Sequence, residues 1–341
     1  MTGDDMRFMR VLLAPAFLLA IVAGAVDGTV VEEAVASSVD YLLSCQNDDG
    51  GFGARPESES DIKDTSLAVI ALASAGKNPS ALAMNGSTPL DYLLDRQEEL
   101  DNMSNVEAQV GRYVVALISA GLDPKEINGK NYVQILKGFF HPGGEIGAEN
   151  YIWDDAWAVL ALAACNESQS EEVKCALDHL KCLQTDKGGW AWNGGPNGED
   201  PDTTSIILCA LMSGGEDAAS DAVQKGLHYI SSEQNADGGF SSLGSNAATD
   251  GWAILAIRAA GQNPEEWKVG PADPIQHLLS LQNEDGSVWW KNDSEGISFE
   301  WTANMVLALT GGEMKQRVLI SRALAQGHGV LSLDEPTAKE D

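Results

Sequence analysis

The chain has 341 residues, 44% of them hydrophobic, which excludes disorder and allows one large domain or two ordinary ones. Its formal net charge of −30 excludes a nucleic-acid-binding surface, which needs clustered Lys and Arg, and reads as a solvated acidic exterior.

The first predicted element is a targeting segment. Arg7 and Arg10 precede an apolar run of 15 residues, Val11 to Ala25, closed by the small residues Ala23-Gly24-Ala25. This has the form of a cleaved secretory signal over residues 1–25, shorter than the about 20 apolar residues a spanning helix requires. The expected location is secreted or cell-surface, with membrane attachment only where that segment stays uncleaved. Glycan-acceptor tripeptides at Asn85, Asn102, Asn166 and Asn292 suit export. The five cysteines are an odd number, and Cys175 and Cys182, seven apart on a predicted helix, sit about 10 Å from each other, too far to bridge.

Next comes an outer helix over Val35–Cys45, with one wet face, ended by Gln46-Asn47-Asp48-Asp49-Gly50-Gly51-Phe52. Paired glycines supply the positive-φ positions a reversal needs. Asp64-Thr65 then offers capping oxygens to an inner helix, Leu67–Ala75, apolar almost all round and stopped at Gly76 and Pro79. The phrase returns at Gln184–Trp190 and Gln234–Phe240, and in degraded form at Gln282–Trp289. Inner helices are predicted to begin near Asn105, Asp154, Asp202, Asp250 and Glu300, with Asp154, Asp202 and Asp250 spaced 48 apart. A fixed period of this length marks a repeat architecture. Six inner helices apolar on every side need an outer ring and a shared centre. A closed ring of six hairpins supplies both, whereas an open two-layer solenoid leaves one face wet.

The Gln-x-x-x-Gly-x-aromatic motif resembles the repeat of squalene and other terpenoid cyclases, and Cys45–Gly53 resembles the β subunits of protein prenyltransferases. The resemblance covers about residues 34–312. It implies an all-α α6/α6 toroid and leaves activity open, since relatives include binders such as cobalamin carriers. Class II cyclases protonate an alkene with a DxDD-type motif. Asp200-Pro201-Asp202-Thr203-Thr204 is the nearest match, with Asp202 as acid, Asp200 as partner and Thr203 in place of the third Asp. Paired carboxylates can share a proton. The competing reading makes Asp202 an ordinary helix N-cap. The chain also has room for one toroid, where squalene-type cyclases resemble two.

Other chemistries lack their residues. No Asp-x-Cys zinc pair, thioester motif or diphosphate-binding Asp cluster occurs, so no metal and no cofactor are expected. His179, His228 and His277 fall at matching places on outer helices, which reads as a solvated face. What remains is a central cavity. Asp64, Tyr113, Trp153, Asp154, Trp157, Asp202, Asp250, Trp252, Glu300 and Trp301 are the candidate residues of its mouth, an aromatic wall with a few polar groups that suits a bulky apolar ligand.

After the toroid, residues 313–341 resemble the signature helix and Walker B strand of an ABC transporter ATPase. Gly311, Gly312 and Gln316 stand in the signature, and Asp334 and Glu335 in the Walker B positions. No Gly-x-x-x-x-Gly-Lys-[Ser/Thr] loop accompanies them, so ATP hydrolysis is not expected and the segment reads as a truncated remnant. The leading expectation is an exported, non-catalytic toroid that binds a bulky apolar or corrinoid-like ligand, with importer components as partners. The alternatives are a terpenoid-cyclase-like enzyme using Asp202 and a surface interaction module without a small ligand.

Overall fold

The computed structural model describes residues 27–147, 151–241, 243–291, 296 and 298–310. Among these, the inner ring is α2 (Ile62–Ser74), α4 (Val106–Ser119), α6 (Ile152–Ala164), α8 (Pro201–Gly214), α10 (Ala247–Ala259) and α12 (Phe299–Thr310). Each packs on the next, and α12 packs back on α2, so the ring closes. The outer ring is α1 (Gly28–Ser44), α3 (Pro89–Asp95), α5 (Tyr132–Gly138), α7 (Glu171–Cys182), α9 (Asp221–Ser232) and α11 (Pro274–Ser280). The last hairpin is made from the two ends of the described chain, α1 lying on α12. The α6/α6 toroid expected from the sequence is the observed fold. Two short antiparallel pairs were not foreseen: β1 (Phe52–Gly53) with β2 (Ser60–Asp61), and β3 (Trp190–Ala191) with β4 (Glu199–Asp200). They brace the loops that enter α2 and α8.

The recurring phrase is the joint of this ring. The Gln46, Gln184 and Gln234 side chains each donate one hydrogen bond to their own turn and one across to the next outer segment. Gln184 Nε2 donates to Gly188 O and to Ala222 O on α9, both at 2.8 Å. Gln282 Nε2 donates to Ala34 O at 2.7 Å and Ser38 Oγ at 2.8 Å, tying the last turn to α1. The turn glycine is required by contact as well as by conformation. Gly286 has φ +85°, and a Cβ there would lie 2.0 Å from Ser37 O. The residue after the glycines donates its backbone N–H to the fourth residue of the following inner helix: Phe52 to Thr65, Trp190 to Thr204, Phe240 to Asp250 and Val288 to Thr302, at 2.9 to 3.1 Å. Ile146 makes the same bond to Asp155 at 3.0 Å.

The inner-helix caps lie upstream of the residues assigned to them. Asp61 and Asp200 are the N-caps of α2 and α8, accepting from the N–H groups of Asp64 and Thr203 at 2.7 and 2.8 Å. Asn246 caps α10. Pro201 takes the first helical position, where its missing N–H costs nothing, and Asp202 therefore stands inside the first turn. Reading Asp202 as a plain cap is thus incorrect. Of the five cysteines, Cys45, Cys165 and Cys209 are buried and Cys182 is exposed, and none of the five is in a disulfide. Among the described residues, no helix is long and apolar enough to cross a membrane.

Candidate functional site

The N-termini of the inner helices gather at one end of the ring, but the residues named from sequence do not form one set. Asp250 sits at the fourth helical position and faces the outer wall. Its Oδ1 accepts from Phe240 N at 2.9 Å and its Oδ2 meets His277 Nδ1 at 2.5 Å. Asp250 is a strut between α10 and α11, not a mouth residue. His277 is correspondingly 5% exposed, so the solvated face expected for it is wrong, although His228 is exposed as expected. Tyr113 also leaves the set. It is fully buried, packs with its ring tilted against Tyr132 of the outer ring at 5.0 Å and donates to Leu93 O at 3.3 Å.

The third helical position carries Asp64 and Asp154, both buried. Burial pushes Asp64 up to about 7, with the Asp61 charge adding and the Lys63 cation opposing. Burial likewise lifts Asp154 to about 7, with Glu107 adding; its Oδ1 accepts from Ala108 N at 3.2 Å and its Oδ2 has no partner. Asp155 beside it rises to about 8, again chiefly by burial. Glu300 forms an ion pair with Lys63 at 2.6 Å, a bridge from α12 to α2 at the closure of the ring. Trp301 stacks on the exposed Trp290 at 6.3 Å.

Trp153, Trp157 and Trp252 do come together, and they reach the first turn of α8, where Asp202 stands. Trp157 and Trp252 approach edge to face at 5.9 Å, and Trp153 and Trp252 at 6.0 Å. Their helices, α6 and α10, are separated in the ring by α8, so these rings meet across the front of α8 in the centre of the toroid. Trp153 Nε1 donates to Thr203 Oγ1 at 3.2 Å, and Thr203 Oγ1 donates to Asp200 Oδ2 at 2.9 Å. Asp200, Thr203 and the tryptophans are therefore one connected line, with Asp202 between Asp200 and Thr203 in the chain. Burial raises both carboxyls. The Thr203 hydrogen bonds hold Asp200 back, while Asp202 reaches about 6, the Asp200 and Asp250 charges adding and a bond from Thr249 opposing. The larger rise falls on Asp202, so of the two neighbouring carboxyls it is the one that keeps its proton to higher pH.

Sequence reading missed Arg112. It lies on α4, 7% exposed, with its guanidinium 4.7 Å from the centre of the Trp157 ring. The signal was a lone cation inside the apolar stretch Val110–Ile118. Among the described residues no group of three or more His, Cys, Asp or Glu is arranged to hold a metal ion. The signal segment at 1–25 and the ATPase-like positions Gly311, Gly312, Gln316, Asp334 and Glu335 lie outside the described residues.

The family model for the prenyltransferase alpha-alpha toroid domain matches residues 1–139 and 125–296. Drimenyl diphosphate synthase from Streptomyces showdoensis is 26% identical over 246 residues, which is 68% of this chain and 38% of that protein. Squalene–hopene cyclase from Bradyrhizobium diazoefficiens is 27% identical over 143 residues, 38% of this chain and 21% of that protein. The chain thus spans well under half the length of either curated relative. Type II terpene cyclase MstE from Scytonema superposes with a TM-score of 0.60 at 19% identity, covering 84% of this chain and 98% of that one. A GH76A alpha-1,6-mannanase from Salegentibacter superposes nearly as well, with a TM-score of 0.58 at 13% identity, so shape alone does not choose a chemistry. These findings overturn the leading expectation of a non-catalytic binder, because the relatives found by sequence are a drimenyl diphosphate synthase and a squalene–hopene cyclase. On the match of its repeats, the chain belongs to the prenyltransferase alpha-alpha toroid family.

Proposed function

We propose that the protein is a terpenoid cyclase of the protonation-initiated kind, with Asp202 as the general acid. The observation that carries this reading is the state of the Asp200–Asp202 pair. One carboxyl is held by a cap and a hydroxyl, and the other keeps its proton to about 6 beside a tryptophan-lined centre. The sequence likeness to drimenyl diphosphate synthase and squalene–hopene cyclase supports it. The objection that one toroid is too small loses force, since the fold covers 98% of MstE, a chain described as a type II terpene cyclase.

In this reading Asp202 delivers its proton to a terminal carbon–carbon double bond of an acyclic isoprenoid. The π pair forms the new C–H bond, the neighbouring carbon becomes cationic, and Asp202 is left as carboxylate. Successive double bonds attack the cation and close rings, and loss of a proton from carbon ends the sequence. The faces of Trp153, Trp157 and Trp252 offer negative quadrupole density to the travelling charge without being nucleophilic enough to trap it. Asp200 and Thr203 position the acid through the first turn of α8.

The test is turnover. Purified protein incubated with farnesyl diphosphate, and in parallel with longer polyprenyl substrates, is expected to yield a cyclised isomer seen by gas chromatography and mass spectrometry after dephosphorylation where needed. Asp202→Asn is expected to abolish it while circular dichroism stays unchanged. Full product formation by Asp202→Asn sinks the assignment.

A further inference from the structure

Five of the six hairpins are joined by the chain itself, each inner helix running through an exit segment into its own outer helix. Four of these exits share one geometry. Counted from the strut residues Thr65, Asp155, Thr204 and Asp250, the eleventh place on holds Gly76, Asn166, Gly215 and Gly261, all at positive φ. The next residue's N–H closes back on the inner helix: Lys77 on Leu72 O, Glu167 on Leu162 O, Glu216 on Leu211 O and Gln262 on Ile257 O, at 2.9 to 3.1 Å. Closing the last carbonyls in this way satisfies groups that a helix end otherwise leaves without partners. Beyond it, Pro79 and Pro264 are buried in 3-10 turns that pack between the inner and the outer helix.

The sixth hairpin has no such cover among the described residues. Its outer helix, α1, comes from the other end of the chain, and the described α12 runs to Thr310. A groove of about 330 Å³ opens there, between α1, the end of α12 and the exit of α2. Val31, Val35, Val39 and Leu309 give it apolar walls, and Glu32 and Asp40 add negative charge. Eleven places on from Thr302, the strut of α12, stands Glu313, and the residue after it is Met314. Met314 is thus the sequence counterpart of Lys77, Glu167, Glu216 and Gln262, and Leu309 that of Leu72, Leu162, Leu211 and Ile257. The position is polar in those four exits and apolar here, where the facing helix offers valines.

We propose that residues 311–318 of this chain occupy the groove as the exit segment of the sixth hairpin, with the Met314 N–H closing on Leu309 O and the Met314 side chain lying against Val31 and Val35. The segment follows Thr310 directly, so it reaches the groove without a linker. Methionine suits such a place because its unbranched chain fills irregular apolar gaps. Lys315 and Arg317 bring cations to walls that carry Glu32 and Asp40. The segment seals the seam between α1 and α12, whose hairpin is made from two distant parts of the chain. This role follows from chain order, so it stands whether or not the protein turns over a prenyl chain.

The full chain tests this with a short diazirine label on Met314→Cys. Cys175→Ser and Cys182→Ser in the same chain leave that thiol as the accessible one, since Cys45, Cys165 and Cys209 are buried. Light-induced attachment, mapped by peptide mass spectrometry, is expected on residues 31–39 of the same molecule. Attachment to a second copy, to residues 1–26, or scattered over the surface overturns the proposal. Thermal unfolding gives a second readout. Met314→Asp is expected to lower the melting temperature by at least about 2 °C, and Met314→Leu to leave it unchanged. Val35→Asp should lower it as well, and because both changes damage one contact, the double variant should lose less than the two losses added together. An unchanged melting temperature in Met314→Asp, or full additivity with Val35→Asp, also overturns the proposal. If Val35→Asp does not fold, the attachment map and the two Met314 variants decide the matter.

Discussion

His277 Nδ1 and Asp250 Oδ2 meet at 2.5 Å inside the wall between α10 and α11, both side chains buried, and His277 Nε2 faces Asp237 Oδ2 at 3.5 Å. Burial opposes the imidazolium, but the hydrogen bond and charge of Asp250, with the charge of Asp237, raise His277 above its ordinary value of 6.5. A raised histidine lends stability that is complete below the unfolded value and lost as pH climbs through the folded one. Removing one partner, as in His277→Ala, is expected to cost about 3–5 kcal/mol, whereas the apolar pair His277→Phe with Asp250→Val costs much less. Urea unfolding of the two single variants and the double variant measures this directly.

A general acid must hold its proton. With Asp202 pushed up to about 6, the rate of product formation is expected to be flat on the acid side and to fall as pH rises through that value. A pH–rate profile that climbs between pH 5 and 8 contradicts a role for the protonated form.

The buried acids Asp64, Asp154 and Asp155 are held up to about 7, 7 and 8. Above their ordinary value near 3.8 the unfolded chain has lost these protons while the folded chain still binds them, so stability falls as pH rises across that window. Melting temperature is expected to be higher at pH 5 than at pH 8. Asp154→Asn keeps an oxygen for Ala108 N–H and removes the charge, so it should raise the melting temperature at pH 8 and leave it nearly unchanged at pH 5.

Asp200 caps α8 and also anchors Thr203. Asp200→Ala is expected to lower stability by about 1 kcal/mol through the lost cap and to reduce turnover. Asp200→Ser retains a capping oxygen and should recover the stability without the rate. Chemical denaturation and product assays on the same preparations separate the two effects.

Gly286→Ala is expected to destabilise by more than the about 1 kcal/mol typical of a substitution, because φ is +85° and the added Cβ lies on Ser37 O. Gly261→Ala, also at positive φ but with open space around its Cβ, bears only the conformational cost. Comparing their denaturation midpoints isolates the contact with α1.

The toroid was legible because its joints are local. A Gln, two glycines and an aromatic within seven residues dictate a stop and a reversal, and the apolar inner helices demand a ring. The site was only partly legible because its pairings cross the ring. Asp202 was found from the spacing with Asp200, yet its cap reading failed because Pro201 moves the helix start to the residue before it. His277 looks in sequence like His179 and His228; only Asp250, 27 positions away, makes it an internal strut. Tyr113 looked like a rim aromatic until Tyr132 of the outer ring claimed it. Arg112 stood in plain view, but its ring partner, Trp157, lies on the next inner helix.

The bonds from Gln282 to Ala34 and Ser38 join positions 248 and 244 residues apart. Contacts of such reach are late events in folding, since the loop they close must be ordered first. During synthesis the ribosome releases Trp153, Trp157, Asp200, Asp202 and Trp252 well before α12 exists. Until α12 inserts between α10 and α2, the inner helices form an open arc. The enclosure of the centre is therefore a property of the last repeat and not of the helices that carry the candidate site, and it is complete only when the arc becomes a ring.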